Sequence, residues 1–331
     1  MKEKLTSAEI SQLQENGYFR LADAQPTLSP NNFGLPASLL TSISFQAAKN
    51  ILAKRTAEQI AGSRRAMLDW ADEEFNAPYI ETTGQTQPYG DYNLPVAASF
   101  NTSFNKHGHY RFHAYIKVGD LQQAQYAKAK MDAREIITNA ATEALAVEFN
   151  RAAMFGYADN SSNKFLIYGL LNNPSLANYE NSRKPFNQMT WEEVIAFFAE
   201  AVGKLTIQTG NHIDRESKIR VAIASSSYSV LNGLITPFNV SAMKALQDMY
   251  PNMEFVSAVE LEKANQNQNV CYFIGESDLG GVSTTAELGF SEMAKMSNIV
   301  NYENFTSQTI ACGTIGAVIY KPAFIVRYTN I

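Results

Sequence analysis

Residues Tyr110–Gly156 read YRFHAYIKVGDLQQAQYAKAKMDAREIITNAATEALAVEFNRAAMFG, and the change of period within them decides the fold. From Tyr110 to Val118 apolar and polar residues alternate. Tyr110, Phe112, Ala114, Ile116 and Val118 fall on one side, Arg111, His113, Tyr115 and Lys117 on the other. A period of two is that of a strand with one buried face. From Leu121 the alternation stops, Pro and Gly are absent, and Ala, Gln, Lys, Glu and Met predominate, which predicts a helix. Asp120 is the expected N-cap and Gly156 the expected stop, giving a single rod on the order of 50 Å at about 1.5 Å per residue. Ala127, Met131, Ile137, Ala141, Ala144, Leu145, Phe149 and Ala152 form a narrow stripe of mostly small side chains, suited to a spine lying across a sheet.

Upstream, Gly84, Pro88, Gly90, Pro95 and Gly108 punctuate strand-like sequence from Pro78 to Asp120, which reads as a long two-stranded ribbon. A lone ribbon buries too little surface to be stable, so it must lie on the body of the chain or on a neighbour. Residues 1–42, with Pro26, Pro30, Gly34 and Pro36, read as an extended arm. Helical signals run from Ile43 to about Leu68, where Lys49, Lys54, Arg55, Arg64 and Arg65 stand against the single acid Glu58. That basic stretch is expected to be a solvated face, a local DNA contact, or an interface in which Asp69, Asp72, Glu73 and Glu74 pair with the arginines across subunits.

Downstream, Thr190 with Glu193 three residues on is a capping box opening a helix from Trp191 to Gln208. Strands are expected at Ile219–Ala224, Glu254–Ala258 and Val270–Ile274, and helices at Tyr228–Leu234 and Val240–Asp248, an α/β unit. Thr309–Tyr328, rich in Ile, Val, Tyr and Phe, reads as returning strands. The chain is α+β and shows no 20 to 50 residue repeat.

With 331 residues the chain can bury a core without staples. Cys271 and Cys312 are its two cysteines, expected reduced in strands. No segment approaches the roughly 20 consecutive apolar residues of a membrane span, so a soluble product made in the cytoplasm is expected. A net charge of −5 with 18% charged residues argues against a surface that grips nucleic acid throughout.

Chemistry is sparse. His107, His109 and His113 share strand parity and could approach a metal, but they spread along the strand with Gly108 between the first two. His212 has no cysteine near it. Ser225, Ser226 and Ser227 follow a strand but lack the glycines of a nucleophile elbow, and a helix cap is the expected role. Gly280 and Gly281 lack the basic residue of a phosphate loop, and Glu73 and Glu74 read as a solvated face. The expectation is no enzyme, with no catalytic, cofactor-binding or metal residues and no cofactor.

The order of parts resembles the HK97-type major capsid subunit of tailed bacteriophages. ETTGQTQPYGD (Glu81–Asp91), Phe104–Val118, the helix end EFNRAAMFGY, YGLLNNP (Tyr168–Pro174) and KPAFIVRYTNI are similar to a phage capsid family long catalogued as a domain of unknown function. The resemblance covers about residues 65–331. It implies an N-terminal arm over 1–75, an extended loop over 76–119, a peripheral domain over 120–215 with its spine helix at 120–156, an axial domain over 216–308, and strands over 309–331 that return to the peripheral domain. It implies a subunit that assembles with itself, as hexamers and pentamers, into an icosahedral shell around double-stranded DNA, located in the virion. Further implied partners are a separate scaffolding protein, because the arm is too short to hold one, a portal and a decoration protein. The weakly contacted genome completes the set, and no membrane is involved. The archetype of the fold joins subunits by a Lys to Asn isopeptide bond. Lys106 lies in the expected loop, but no motif for that chemistry accompanies it.

Two rivals remain at this level. One is an encapsulin-type protein compartment with the same subunit fold; the other is a hydrolase using His212 or Ser225–Ser227.

Overall fold

The computed structural model describes residues 55–84, 86, 88–89, 91, 98–158, 165–237, 240–278 and 282–331. The arm expected over residues 1–42, together with Lys49, Lys54, Gly280 and Gly281, lies outside them.

Of the helix expected from Ile43 to about Leu68, residues 43–54 lie outside the described residues, and the described part is instead a single turn and a strand. Helix α1, Ala57–Ala61, ends at Gly62, whose φ of 97° is left-handed and turns the chain out of the helix. Strand β1, Arg64–Ala66, follows. Then come β2 (Glu74–Thr83), β3 (Ser99–Gly108) and β4 (Tyr110–Gly119). β2 and β3 pair as a ribbon of their own, whereas β4 leaves it and joins the body, so the ribbon ends at Gly108 and not at 119. The alternation read from sequence holds along β4: Ile116 and Val118 are buried, Tyr115 and Lys117 exposed.

The rod expected over 120–156 is two helices. Helix α2, Asp120–Lys128, is followed by a turn in which Lys130 has φ 58°, and α3 then runs from Ala133 to Phe155, about 34 Å. Asp132 is the reason for the break, because its carboxylate accepts from the backbone N–H of Arg134 and Glu135 and so starts a new helix. Asp120 is the first residue of α2, and its N-cap is Gly119. Gly156 does stop α3, with φ 73°. The buried stripe is Ala133, Ala141, Leu145, Phe149, Ala152, Ala153 and Met154; Ala127 and Ala144, expected in it, are exposed.

Short strands β5 (Tyr157–Ala158), β6 (Phe165–Ile167) and β7 (Glu180–Asn181) precede α4, Trp191–Gln208, whose capping box is complete: Glu193 N–H donates to Thr190 Oγ1 at 3.3 Å and Thr190 N–H to Glu193 Oε2 at 2.9 Å. β8 (Lys218–Ala224), α5 (Ser225–Gly233), α6 (Ala242–Met249), β9 (Met253–Ala258) and β10 (Val270–Glu276) follow. The chain closes with β11 (Ala286–Phe290), β12 (Lys295–Met296), β13 (Val300–Asn301), β14 (Phe305–Ile319) and β15 (Ile325–Thr329).

These strands form two main sheets. In the six-stranded sheet, β14 is the hub: β4 pairs along one side of it, β11, β12 and β13 along the other, and β1 adds in parallel to β11. Ile116, Val118, Ile310 and Cys312 from its inner face meet Leu145, Phe149 and Ala153 of α3 in one buried cluster. The five-stranded sheet has the order β7-β15-β10-β8-β9. Phe197 and Phe198 of α4 pack on Phe273 and Tyr328 of this sheet in a second cluster. Helix α4 therefore goes with β8–β10, and the terminal strands expected to return together part: β14 joins α3, and β15 joins β10.

Candidate assembly surface

The ribbon is the one long element of the described chain with little of the body beneath it. β2 and β3 pair over ten residues, from Glu74↔Gly108 to Thr83↔Ser99, a span of about 34 Å at about 3.4 Å per residue. Among its described side chains the root is the packed part, where Ala77 meets Ile315 and Val318, with Met67, Leu68, Phe75 and Tyr320 around them. Farther out, Phe100 is 66% and Phe104 62% exposed, and Tyr89 near the tip is 94% exposed. Residues two apart on a strand share a face, so Phe100, Thr102 and Phe104 make an apolar strip along one side of β3. Lys106, next on that side, pairs with Glu74 of β2 at 3.4 Å.

The root is held by histidine. Sequence parity placed His107, His109 and His113 together; the structure separates them, because β3 ends at Gly108 and β4 begins a new sheet. His113 is exposed on β4, while His107 and His109 are buried. The His109 ring Nδ1 lies 2.6 Å from the carbonyl of Asp72, so this nitrogen carries the proton and donates; Nε2, at 2.8 Å, accepts from the Ser291 hydroxyl. Gly313 of β14 makes room, since a Cβ there would overlap both the ring and Ser291 Oγ. Burial lowers the His109 pKa, against an opposing pull from its bond to Asp72, and burial alone lowers that of His107. His107 Nδ1 is buried with no hydrogen-bond partner. No cluster of three metal-ligating side chains occurs among the described residues.

The remaining candidates are scattered. His212 is exposed in the turn after α4. The three serines begin α5, but none caps it with its side chain. Ser225 Oγ accepts from Ser257, Ser226 Oγ from Asn269, and Ser227 Oγ donates to the Ile331 carbonyl; they tie the start of α5 to β9, to the residue before β10 and to the C-terminal residue. Cys271 and Cys312 are free and buried, and burial pushes both thiols up, Cys312 to about 11. The described arginines of the basic stretch are taken up inside the subunit. Arg55 pairs with Glu143, Arg64 with Glu58, and Arg65 with Glu287 at 3.6 Å.

Two features escaped the sequence reading. The β12–β13 segment, an interrupted strand running antiparallel along β14, exposes Met296, Ile299, Val300 and Tyr302, each about half or more; apolar residues in turn-rich sequence were the available signal. Arg220, almost fully buried, pairs with Glu276, and its guanidinium occupies the space where a Cβ on Gly62 would stand. Nothing in the periodicity of β8 marks that arginine as special.

The chain can be placed among known proteins. The model of the family described as Pa193 gp26 major capsid protein matches residues 26–330. No curated protein matches the chain. Among solved structures, the capsid of Myoviridae Phage XM1 is 11% identical with a TM-score of 0.72, over 91% of this chain and 100% of that one. The capsid of the native GTA particle is 10% identical with a TM-score of 0.59, over 93% and 99%. The capsid of Cyanophage P-SCSP1u is 13% identical with a TM-score of 0.55, over 90% and 95%. At such identities the likeness concerns the fold, which is the HK97-like capsid fold.

Proposed function

The chain belongs to the Pa193 gp26 major capsid protein family, and from that membership we propose that its ribbon lies across a neighbouring copy and ties the shell together. As a major capsid protein it is a structural subunit of a tailed-phage shell and resides in the virion. The observation that carries the ribbon's role is the exposure of Phe100 and Phe104, 66% and 62%, on an element the subunit does not cover. Burial of such rings against a second copy supplies the driving force that the isolated ribbon lacks.

In this reading the subunits group as hexamers and pentamers of an icosahedral shell around double-stranded DNA. The six-stranded sheet with α3 serves as the peripheral domain, and the five-stranded sheet with α4, α5 and α6 as the axial domain around each capsomer centre. Scaffolding, portal and decoration proteins are separate chains, and synthesis and assembly take place in the host cytoplasm. The genome is contacted weakly, a reading supported by the internal pairing of Arg55, Arg64 and Arg65. The role is structural, and the scatter of His212 and the serine cluster supports a subunit without turnover.

The test is sedimentation and negative-stain microscopy of the full-length chain expressed with its scaffolding protein. Closed shells from the intact chain, and free subunits or open capsomers when the ribbon is cut back to the Ala77↔Asn105 pair, which removes Phe100 and Phe104, are the expected pair of results. Closed shells of unchanged stability after shortening overturn the ribbon's role.

A further inference from the structure

We propose that His107 and His109 form a proton-operated latch at the root of the ribbon: neutral, they hold it to the six-stranded sheet, and protonated, they let it swing away. The two residues flank Gly108, where the ribbon strand β3 ends and the body strand β4 begins. A side chain on Gly108 would press on the Leu166 carbonyl, with its Cβ 2.6 Å from the oxygen. The chain therefore enters and leaves the ribbon through a narrow passage, and His109 spans it. Its ring joins Asp72, on the approach to β2, to Ser291 between β11 and β12, and it rests over Gly313 of β14. The His109 backbone N–H also donates to Glu73 at 3.0 Å, so both ends of the ribbon meet at this residue.

Protonation disturbs this arrangement at two points. On His109 the second N–H points at Ser291, whose hydroxyl must then turn from donor to acceptor. On His107 the added proton leaves a cation with a nitrogen that has no acceptor, in a buried site beside Phe75. The charges around the pair are few. Asp72 favours the His109 cation and Arg111 opposes it. Lys295 stands over the Trp70 ring, 5.0 Å from its centre, and is paired with Glu292. Lys106 and Glu74, adjacent to His107 and Phe75 along their strands, point to the opposite ribbon face and pair with each other.

The direction follows from linkage. A released imidazole titrates near 6.5, and both histidines sit below that value in the closed root. Closure is therefore fully favoured above about pH 6.5 and weakens as the pH falls below it. With one linked proton the opening constant rises at most about tenfold per pH unit; with two, about a hundredfold.

This inference concerns the unassembled subunit and stands apart from what the ribbon binds, so its failure leaves the shell reading intact. The experiment is amide exchange of the full-length subunit from pH 7.5 to 5, corrected for intrinsic exchange, comparing residues 72–76 and 106–110 with α4 as internal reference. Expected is an opening constant at the root that rises more than tenfold per pH unit while α4 stays protected. His109→Gln, which retains a donor for Asp72 and an acceptor for Ser291, and His107→Phe, which keeps the ring, should each reduce the slope to about tenfold or less, and the double variant should be flat. Trp70 meets the His109 ring edge-on at 6.1 Å, so in a Trp191→Phe background its emission should change over the same range and lose that change in His109→Gln only. A flat response of the unmodified subunit, an unaltered slope in the double variant, or a loss of protection shared equally by α4 overturns the latch.

Discussion

Replacing Phe100 and Phe104 together by Thr removes the ribbon's apolar strip while keeping residues that favour strands. The two rings are 66% and 62% exposed in the subunit. With about 200 Å² for a phenylalanine, each leaves about 125 Å² in water, and covering it fully on a neighbour contributes about 3 kcal/mol at about 25 cal/mol per Å². If half of it is covered, the figure is about 1.5 kcal/mol. The double variant therefore loses about 3–6 kcal/mol per subunit on assembly, which raises the concentration needed for shells by about two to four orders of magnitude. The subunit itself should be unaffected, within about 0.5 kcal/mol, because the substitutions are at exposed positions away from the core. Light scattering against concentration reads the first quantity and thermal unfolding of the free subunit the second. Assembly at the concentration of the unmodified chain would refute the argument, and so would a large loss of subunit stability, which would mean that the rings pack on their own body.

Three further outcomes follow from the packing. Ala153→Leu overpacks the spine against the sheet and should cost about 1–3 kcal/mol in subunit unfolding, whereas Ala144→Leu, on the exposed side of α3, should change it by less than about 0.5 kcal/mol. Gly156→Ala places a Cβ at φ 73° and 2.5 Å from the Ile167 carbonyl, and should lower the melting temperature more than Gly203→Ala, where the space is open. Cys271 and Cys312, with thiol pKa values raised by burial, should resist a thiol reagent at pH 8 in the native subunit and both react after unfolding.

Local signals carried most of the fold into the sequence. The alternation of β4, the capping box of α4 and the glycine stop at Gly156 depend on neighbours within a few residues, and each appears where the pattern places it. What the sequence did not disclose depends on contacts distant along the chain. Asp132 looks like one more polar residue of a long helix until its carboxylate caps the second half. β4 looks like a ribbon strand until β14, some 190 residues later, pairs with it. The burial of His109 likewise needs Ser291 and Gly313 from the far end of the chain. The exposed strip of β3 was invisible for a different reason, because a phenylalanine in a strand looks the same whether its cover is its own body or a neighbour's.

The most direct measurement is a cryo-electron microscopy reconstruction of particles assembled from this chain, traced through residues 74–108. A ribbon that leaves its own subunit and covers Phe100 and Phe104 on an adjacent copy within a closed shell is the expected result. A ribbon folded onto its own sheets, or a chain that forms no closed shell with its scaffolding protein present, would contradict it.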